Sequence, residues 1–528
     1  MNKLEKMIGS LAPQWALRRQ VAKQKLNLLS NTGYSHHGAS KTKKSLQGWN
    51  YTGGSPEEDI NLNLEVLRER SRDLYMGGAT LATGALKTAR TNVVGTGLRL
   101  KPSLDTDLLG LDDIQAADLK RTIEREFALW AESKDCDAMR MNNFYALQQL
   151  AFLSTLMSGD SFALLPVVKR KGVTYDLRIK LIEADRCCNP QSVTGVGDKD
   201  IKSGVEADED GMVVAYWFTN RHPLSNSPKK IEYVRVEAVG KHSGRWNVIH
   251  LMEAERPEQR RGVPILAPVI EALKQLGRYT EAELMAAVIS GMFTVFLESE
   301  NPTNPLPGIE DEDEMSGDIN YRLGNGAIVG LAPGEKANIA NPGRPNVAFD
   351  GFVTSILRQV GSALEIPYEL LVKHFTASYS ASRAALLEAW KMFRMRRTWL
   401  SANFCQPIYE EWFTEAVAKG RIPAPGFFSD PLIRKAYTKA EWHGPSQGQI
   451  DPLKEVKAAE KRVENGFSTG ERETAELTGG DYEMNIRQLA REKALRKEYG
   501  VETKIQGGEK QDVETDEILD DGEERSQE

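Results

Sequence analysis

The sequence predicts an α+β protein in which long amphipathic helices flank a central block of short strands, and three observations lead to that class. Residues 347–366 carry Phe349, Phe352, Val353, Ile356, Leu357, Val360 and Leu364 at offsets of 0, 3, 4, 7, 8, 11 and 15, one face of a helix of period 3.6. Residues 160–255 hold the runs SFALLPVVKR, TYDLRIKLIEA, MVVAYWFTN, EYVRVEA and NVIHLMEA, rich in β-branched and aromatic residues and bounded by Gly, Pro, Asn and Asp, which is the pattern of strands. Residues 264–291 return to the helical period through Leu266, Val269, Ile270, Leu273, Leu276, Leu284, Val288 and Ile289. Helices on both sides of a mainly β block make an α+β architecture.

In chain order, residues 1–30 are compatible with a helix (Leu4, Met7, Ile8, Leu11, Trp15, Leu17, Val21), and residues 31–56, rich in Gly, Ser, Asn and His, read as a loop or arm. Residues 59–94 are helical, Gly95 and Gly97 punctuate a turn into a short strand at 98–102, and further helices cover 108–130 and 143–158. Pro264 and Pro268 fall in the first turns of the 264–291 helix, where proline is tolerated. At 1.5 Å per residue that helix is a rod of about 40 Å and the 347–366 helix one of about 30 Å. Between them, residues 292–346 pass from the strand MFTVFLES through NPTNPLPGIEDEDEM to the strand-like GAIVGLAPGE, a protrusion on a two-helix stalk. Pro367 is expected to stop the second rod, because it lacks an amide donor and disfavours helical geometry at Ile366. A polar loop, KHFTASYSASR at 373–383, and a second long helical run from 384 to about 419 follow. Pro423, Pro425 and Pro431 break the chain, and 430–500 yields two or three small helices. The first has a stripe of Leu453, Val456, Ala459 and Val463 ended by Gly466; Ser468 and Glu471 form a capping box that starts the next.

At 528 residues, 27% charged and 40% hydrophobic, the chain is long enough for several domains of ordinary soluble composition. It contains no apolar run of membrane-spanning length and no secretory h-region, so neither membrane insertion nor export is expected. Cys136, Cys187, Cys188 and Cys405 are too scattered for a disulfide framework or a cysteine-based zinc site, and read as reduced thiols of an intracellular protein. The net charge of −7 argues against a protein built mainly to grip nucleic acid. Its distribution is polarised. Residues 1–45 hold Lys3, Lys6, Arg18, Arg19, Lys23, Lys25, Lys41, Lys43 and Lys44 against Glu5, either a solvated arm or a binding segment for DNA or a partner. The final twenty residues hold ten acids against Lys510 and Arg525 and read as a disordered tail.

The residue patterns of an enzyme are incomplete. GYSHHGAS spaces Gly33 and Gly38 like a phosphate-binding loop, but Ala39 stands where the lysine is needed. Gly159-Asp160-Ser161-Phe162-Ala163 lacks the second glycine of a nucleophile elbow and opens a strand rather than closing one, so a tight turn is expected. His36 and His37 are adjacent and cannot share a helix face, so no metal or cofactor is expected. Glu310, Asp311, Glu312, Asp313 and Glu314 are consecutive and read as a solvated acidic surface. Lys391, Arg394, Arg396 and Arg397, interleaved with Trp390, Phe393 and Trp399, read as a solvated basic face beside a buried stripe, with nucleic-acid contact the competing reading.

Six stretches in order carry a resemblance. They are LRERSRDLYMGGATLATGALKTARTNVVGTGLRL at 67–100, FYALQQLAFLSTLMSGDSFALL at 144–165 and HLMEAERPEQRRGVPILAPVIEALKQLGRYTEAEL at 250–284, then LEIPYELL at 364–371, YSASRAALLEAW at 379–390 and EWHGPSQGQIDPLKEVKAAEKRVENGFSTGERE at 441–473. Over about 59–500 the chain resembles bacteriophage portal proteins of the lambda portal family. The resemblance implies a homo-oligomeric ring, usually of twelve subunits, at one capsid vertex, through which double-stranded DNA is packaged and ejected. It implies no catalytic residues, and a capsid-associated head-tail adaptor is the alternative. Implied partners are the terminase large subunit, the major capsid and scaffold proteins, and head-completion or tail connectors. The implied location is the virion portal vertex, with assembly in the host cytoplasm.

The same resemblance divides the chain into a basic arm (1–58), an α+β wing (59–262), stem helices (263–291 and 347–367) around a clip (292–346), a tunnel loop (368–383), a long wing or crown helix (384–429), a crown (430–500) and the acidic tail (501–528). It points to Lys373, His374, Thr376, Ser378, Tyr379, Ser380, Ser382 and Arg383 as the DNA-facing segment, and to Glu310–Glu314 as the clip's docking surface. DNA must slide, and twelve copies at −7 each give roughly −84, a repulsive sleeve rather than a clamp.

Overall fold

A computed structural model describes residues 53–191, 200–291, 348–375, 378–448 and 451–501, short pieces before residue 53, and two strand backbones at 295–299 and 335–339. The chain divides into two units, 1–62 and 63–528. In the first, a 3-10 turn at Lys44–Leu46 precedes a short helix, Pro56–Asp59, which Ser55 and Glu58 close with a reciprocal capping box. The GYSHHGAS glycines lie outside the described residues.

The second unit opens with helices α1 (Leu64–Met76) and α2 (Thr80–Val93). Gly97, at φ +115°, then passes so close to Tyr145 that a Cβ would overlap that side chain. Strand β1 (Arg99–Pro102) follows. The helix expected at 108–130 is instead a short turn, Thr106–Leu109, and α3 (Asp113–Ala131), because Gly110 adopts a left-handed cap between them. Helix α4 (Phe144–Ser158) is capped by Asn143 and leads through Gly159 into β2 (Asp160–Leu164).

The named strands of the block pair antiparallel. β2 lies between β3 (Lys180–Glu183) and β8 (Val248–Met252), while β4 (Asp200–Lys202), β5 (Val205–Ala207), β6 (Val213–Thr219) and β7 (Tyr233–Glu237) form a second sheet in that order. The five sequence-expected strands are present; β4 and β5 were too short to show a pattern. Phe162, Ile182, Val205, Tyr216, Phe218 and Val248 form a small core between the sheets.

Helix α5 (Ile270–Gly291) begins after a 3-10 turn at Ala267–Val269, so the rod is about 33 Å long. Beyond it, β9 (Val295–Ser299) pairs antiparallel with β10 (Glu335–Ile339), which begins at the last residue of the strand-like GAIVGLAPGE. The acidic run Glu310–Glu314 lies outside the described residues. The return helix α6 (Phe349–Ala363) packs on α5 through Tyr279, whose ring centroid lies 5.6 Å from Phe349 and 5.0 Å from Phe352. Leu273, Leu276, Leu357 and Val360 are buried near the body, whereas Leu284, Met285, Val288 and Phe352 are exposed.

After a short helix, α7 (Tyr368–Val372), the longest helical run starts at α8 (Tyr379–Leu400) and continues through a π-helical turn, Ser401–Cys405, into α9 (Gln406–Ala418). Its second half is the axis of the main core. Phe404, Cys405, Ile408, Tyr409, Trp412 and Phe413 are fully buried, and Phe127 of α3 meets the Trp412 ring edge-on at 5.0 Å. Helix α10 (Pro431–Thr438) then leads to β11 (Ala440–His443), which pairs antiparallel with β1, Arg99 opposite His443. The chain ends in α11 (Pro452–Glu464), α12 (Gly470–Thr478) and α13 (Tyr482–Glu498). Thr469 caps α12, one residue after the Ser468 expected, and Glu473 folds back to a bidentate pair with Arg462. No helix among the described residues is long and apolar enough to cross a membrane.

Candidate functional site

The segment that sequence reasoning singled out lies where α6, α7 and α8 meet. Helix α6 stops at Ala363, four residues before Pro367, with Leu364 as its cap. The stop is made by Glu365, a non-glycine residue at φ +56°, and by the Ile366 amide, which bonds back to the Gly361 carbonyl at 2.9 Å. A Cβ on Gly361 would overlap the Ile366 carbonyl oxygen, so the turn requires glycine there. Pro367 therefore starts α7 as its N-cap rather than ending α6.

Leu371 is buried and anchors α7, and Lys373 closes it in a left-handed conformation at φ +56°. Lys373, His374 and Phe375 are exposed. Thr376 lies outside the described residues. Ser378 is the N-cap of α8, its hydroxyl accepting from the Ala381 amide, and Ser380 is exposed. The expected loop at 373–383 is thus shorter: Tyr379, Ser380, Ser382 and Arg383 belong to the first turns of α8, because a serine cap starts the helix ahead of its apolar run.

The basic face of α8 splits in two. Lys391 and Arg394 are on the surface, paired with Glu388 at 2.7 Å and Glu476 at 3.3 Å. Arg396 is buried and paired with Glu253 at 3.3 Å. Arg397 donates to the backbone carbonyls of Asn92, Val93 and Pro445 and lies over the Trp390 ring. Burial pulls its pKa down to about 10. These two arginines hold body segments together; they do not form a solvated face.

Sequence reasoning missed a buried cluster of charged groups centred on Asp160. Asp160, with no exposure, accepts from Arg261 Nε at 2.6 Å, Arg68 Nη2 at 2.9 Å, the Gly262 amide at 3.1 Å and His250 Nε2 at 3.3 Å. Burial alone would raise its pKa, but Arg261 and Arg68 outweigh burial and hold the carboxylate far below its ordinary range. Arg261 also donates to the carbonyls of Ala184, Cys187 and Ser203, and Arg68 to that of Ser158. Gly159 and Gly262 touch backbone to backbone, so a Cβ on either would overlap the other's carbonyl oxygen. The signal was present as GDS at 159–161 and RRG at 260–262, but nothing in their spacing says they meet. Ser161 is no nucleophile: its hydroxyl is buried between Thr155 Oγ1 at 2.9 Å and the Ala151 carbonyl. Cys187 is buried there too, which pushes its thiol up to about 12. Glu183, Asp185 and His222 converge closely enough to hold a cation, but Asp185 already faces Arg72 at 2.5 Å.

The arrangement offers a rigid charged joint at the root of a two-helix stalk and an exposed, basic connection between stalk and body. Comparison with known proteins gives this shape a family. The lambda family of phage portal proteins matches residues 42–397. Portal protein B of Escherichia phage lambda is 25% identical over 498 residues, 90% of this chain and 92% of that protein. The portal protein of Escherichia phage N15 is 25% identical over 500 residues, 90% of this chain and 93% of its own. Among solved structures, the neck of an empty gene transfer agent particle aligns with a TM-score of 0.44 and 13% identity, covering 76% of this chain and 92% of that one. The chain belongs to the lambda family of phage portal proteins.

Proposed function

We propose that copies of this chain, twelve in number, close into a ring at one vertex of a phage capsid, and that double-stranded DNA enters and leaves through its channel. The observation that carries this beyond family membership is the outer half of the stalk, where Leu284, Met285, Val288 and Phe352 are exposed on a single chain. Apolar side chains in such number on a narrow rod need a neighbour. The assigned parts are a wing at 59–262, a stem at 263–291 and 347–367, a clip at 292–346 and a crown at 430–500. Lys373 and His374 make weak phosphate contacts as DNA passes, with Ser378, Ser380 and Ser382 keeping that surface polar. The clip, with Glu310–Glu314, docks the terminase large subunit and later the head-tail connector, and capsid and scaffold proteins surround the wing. The role is a conduit's, without catalysis, carried out in the virion after assembly in the host cytoplasm.

Electron microscopy of the purified protein tests the ring: particles with an axial hole support it, and a stable monomer at every concentration tried refutes it. Packaging assays with Lys373→Ala and His374→Ala test the loop, whose proposed role fails if genomes are packaged at normal efficiency.

A further inference from the structure

A buried ion network adds little stability over well-packed apolar side chains of the same volume. What it adds is direction, because each hydrogen bond fixes an angle as well as a distance. Around Asp160 those directions converge on one segment, the strap of residues 253–266 that leads into α5. Arg261 uses all five of its donors. Nε and Nη2 reach Asp160, Nη2 also reaches the Ala184 carbonyl, and Nη1 reaches those of Cys187 and Ser203. These carbonyls belong to the turns that follow β3 and β4, so two separate turns hold the fork. Buried Gln259 accepts from the amides of Glu255 and Arg256 and donates to the Arg261 carbonyl at 2.8 Å. The Gly262 amide bonds to Asp160, and the Ile265 amide to the Leu156 carbonyl at 3.0 Å. Leu266, without exposure, ends the strap in the core.

We infer that Arg261, braced by Gln259, is the positioning residue that sets the direction in which α5 leaves the body, and thereby the number of subunits in the ring. The inference rests on the ring proposed above. Magnitudes show why a directional joint is needed. Neighbours are turned by about 30° in a ring of twelve and by about 28° in a ring of thirteen, a difference of about 2° per contact. Helix α5 is a lever of about 33 Å, so a tilt of about 2° at its root moves the far end by about 1 Å. Burial of Leu273 and Leu276 holds α5 to the body, but apolar burial is non-directional and does not select between angles so close. A planar guanidinium with five fixed donors does. The contact of Gly159 with Gly262 removes the remaining play, since not even a Cβ fits between the two backbones.

Native mass spectrometry of the assembled full chain, with melting of the unassembled chain recorded alongside, tests the assignment. Arg261→Lys keeps a cation beside Asp160 but offers three donors in place of five. Gln259→Ala loosens the strap without unpairing a buried charge, and Gly262→Ala drives a Cβ into the Gly159 carbonyl while sparing the ion pairs. Each is expected to spread the ring mass over several subunit numbers, where the unsubstituted chain gives one. Arg397→Ala removes a guanidinium bound to three carbonyls outside the strap, and is expected to lower the melting temperature yet keep the single ring mass. One unchanged ring mass in the folded strap variants overturns the inference while the ring itself stands. The same spread in Arg397→Ala also overturns it, because the effect would then be one of stability alone. Hydrogen exchange on the unassembled, unsubstituted chain decides the matter even where the variants misfold. The Gly262 and Ile265 amides are expected to exchange within about tenfold of those in β2, and exchange as fast as in an exposed loop overturns the inference. If the unsubstituted chain forms no rings, the proposed function falls and the control of ring number with it.

Discussion

The joint around Asp160 and the junction around Phe375 both connect stalk to body, but they are built in opposite ways. At the first, the strap preceding α5 is tied down by a carboxylate without exposure, two guanidiniums and a chain of backbone carbonyls. At the second, α6 returns through two non-glycine residues in left-handed geometry, and Lys373, His374 and Phe375 are left exposed. Buried charge is tolerated only when every group is paired, so the first joint is finished within one chain. Exposed apolar and charged groups on a strained turn are stable in solvent yet incomplete, so the second is finished by whatever binds there.

The comparison can be broken most strongly at Asp160. Asp160→Ala leaves Arg261 and Arg68 buried with unpaired charge and is expected to destabilise the protein by about 3–5 kcal/mol in denaturant unfolding. Arg397→Ala removes a cation bound to three carbonyls and is expected to cost about 1.5–3 kcal/mol by the same measurement. Acid should affect the first joint in two steps. Burial lowers the His250 pKa, so the unfolded chain takes up that proton first and stability declines as pH falls below about 6.5, the ordinary histidine value. Asp160 has a depressed folded pKa, so its contribution is complete above about 3.9 and is lost only as pH falls further. His250→Gln should abolish the first step of an unfolding-versus-pH curve and keep the second. Smallest in stability should be Leu284→Ser with Val288→Ser on the outer stalk, within about 0.5 kcal/mol for the monomer. The same pair should nevertheless reduce the ring fraction seen by native mass spectrometry, which separates a surface completed by a neighbour from one completed by its own chain.

Much of this organisation was legible before any coordinates. The alternation of helix and strand periods located α4, α5, α6 and five of the strands, because period is a local property that burial imposes on sequence. The ends were less secure. Pro367 looked like a stop and is a start, since Glu365 had already turned the chain and a non-glycine left-handed residue leaves no mark in a sequence. Thr469 took the cap expected of Ser468, and Ser378 began α8 inside what read as a loop.

The sequence by itself determined the family, the order of elements and the two rods of the stalk, all of which depend on residues near one another in the chain. Only the tertiary structure decided that Asp160 meets Arg261 and Arg68, that β1 pairs with β11 across some 340 residues, and that Arg396 and Arg397 are internal ties. Such contacts depend on which distant segments share a core, and a charged residue's sequence neighbours do not reveal whether its partner is water or another chain segment. The segment from Lys373 to Arg383 stands between these cases: its polarity was readable, but its division into an exposed turn and the first turns of α8 was not.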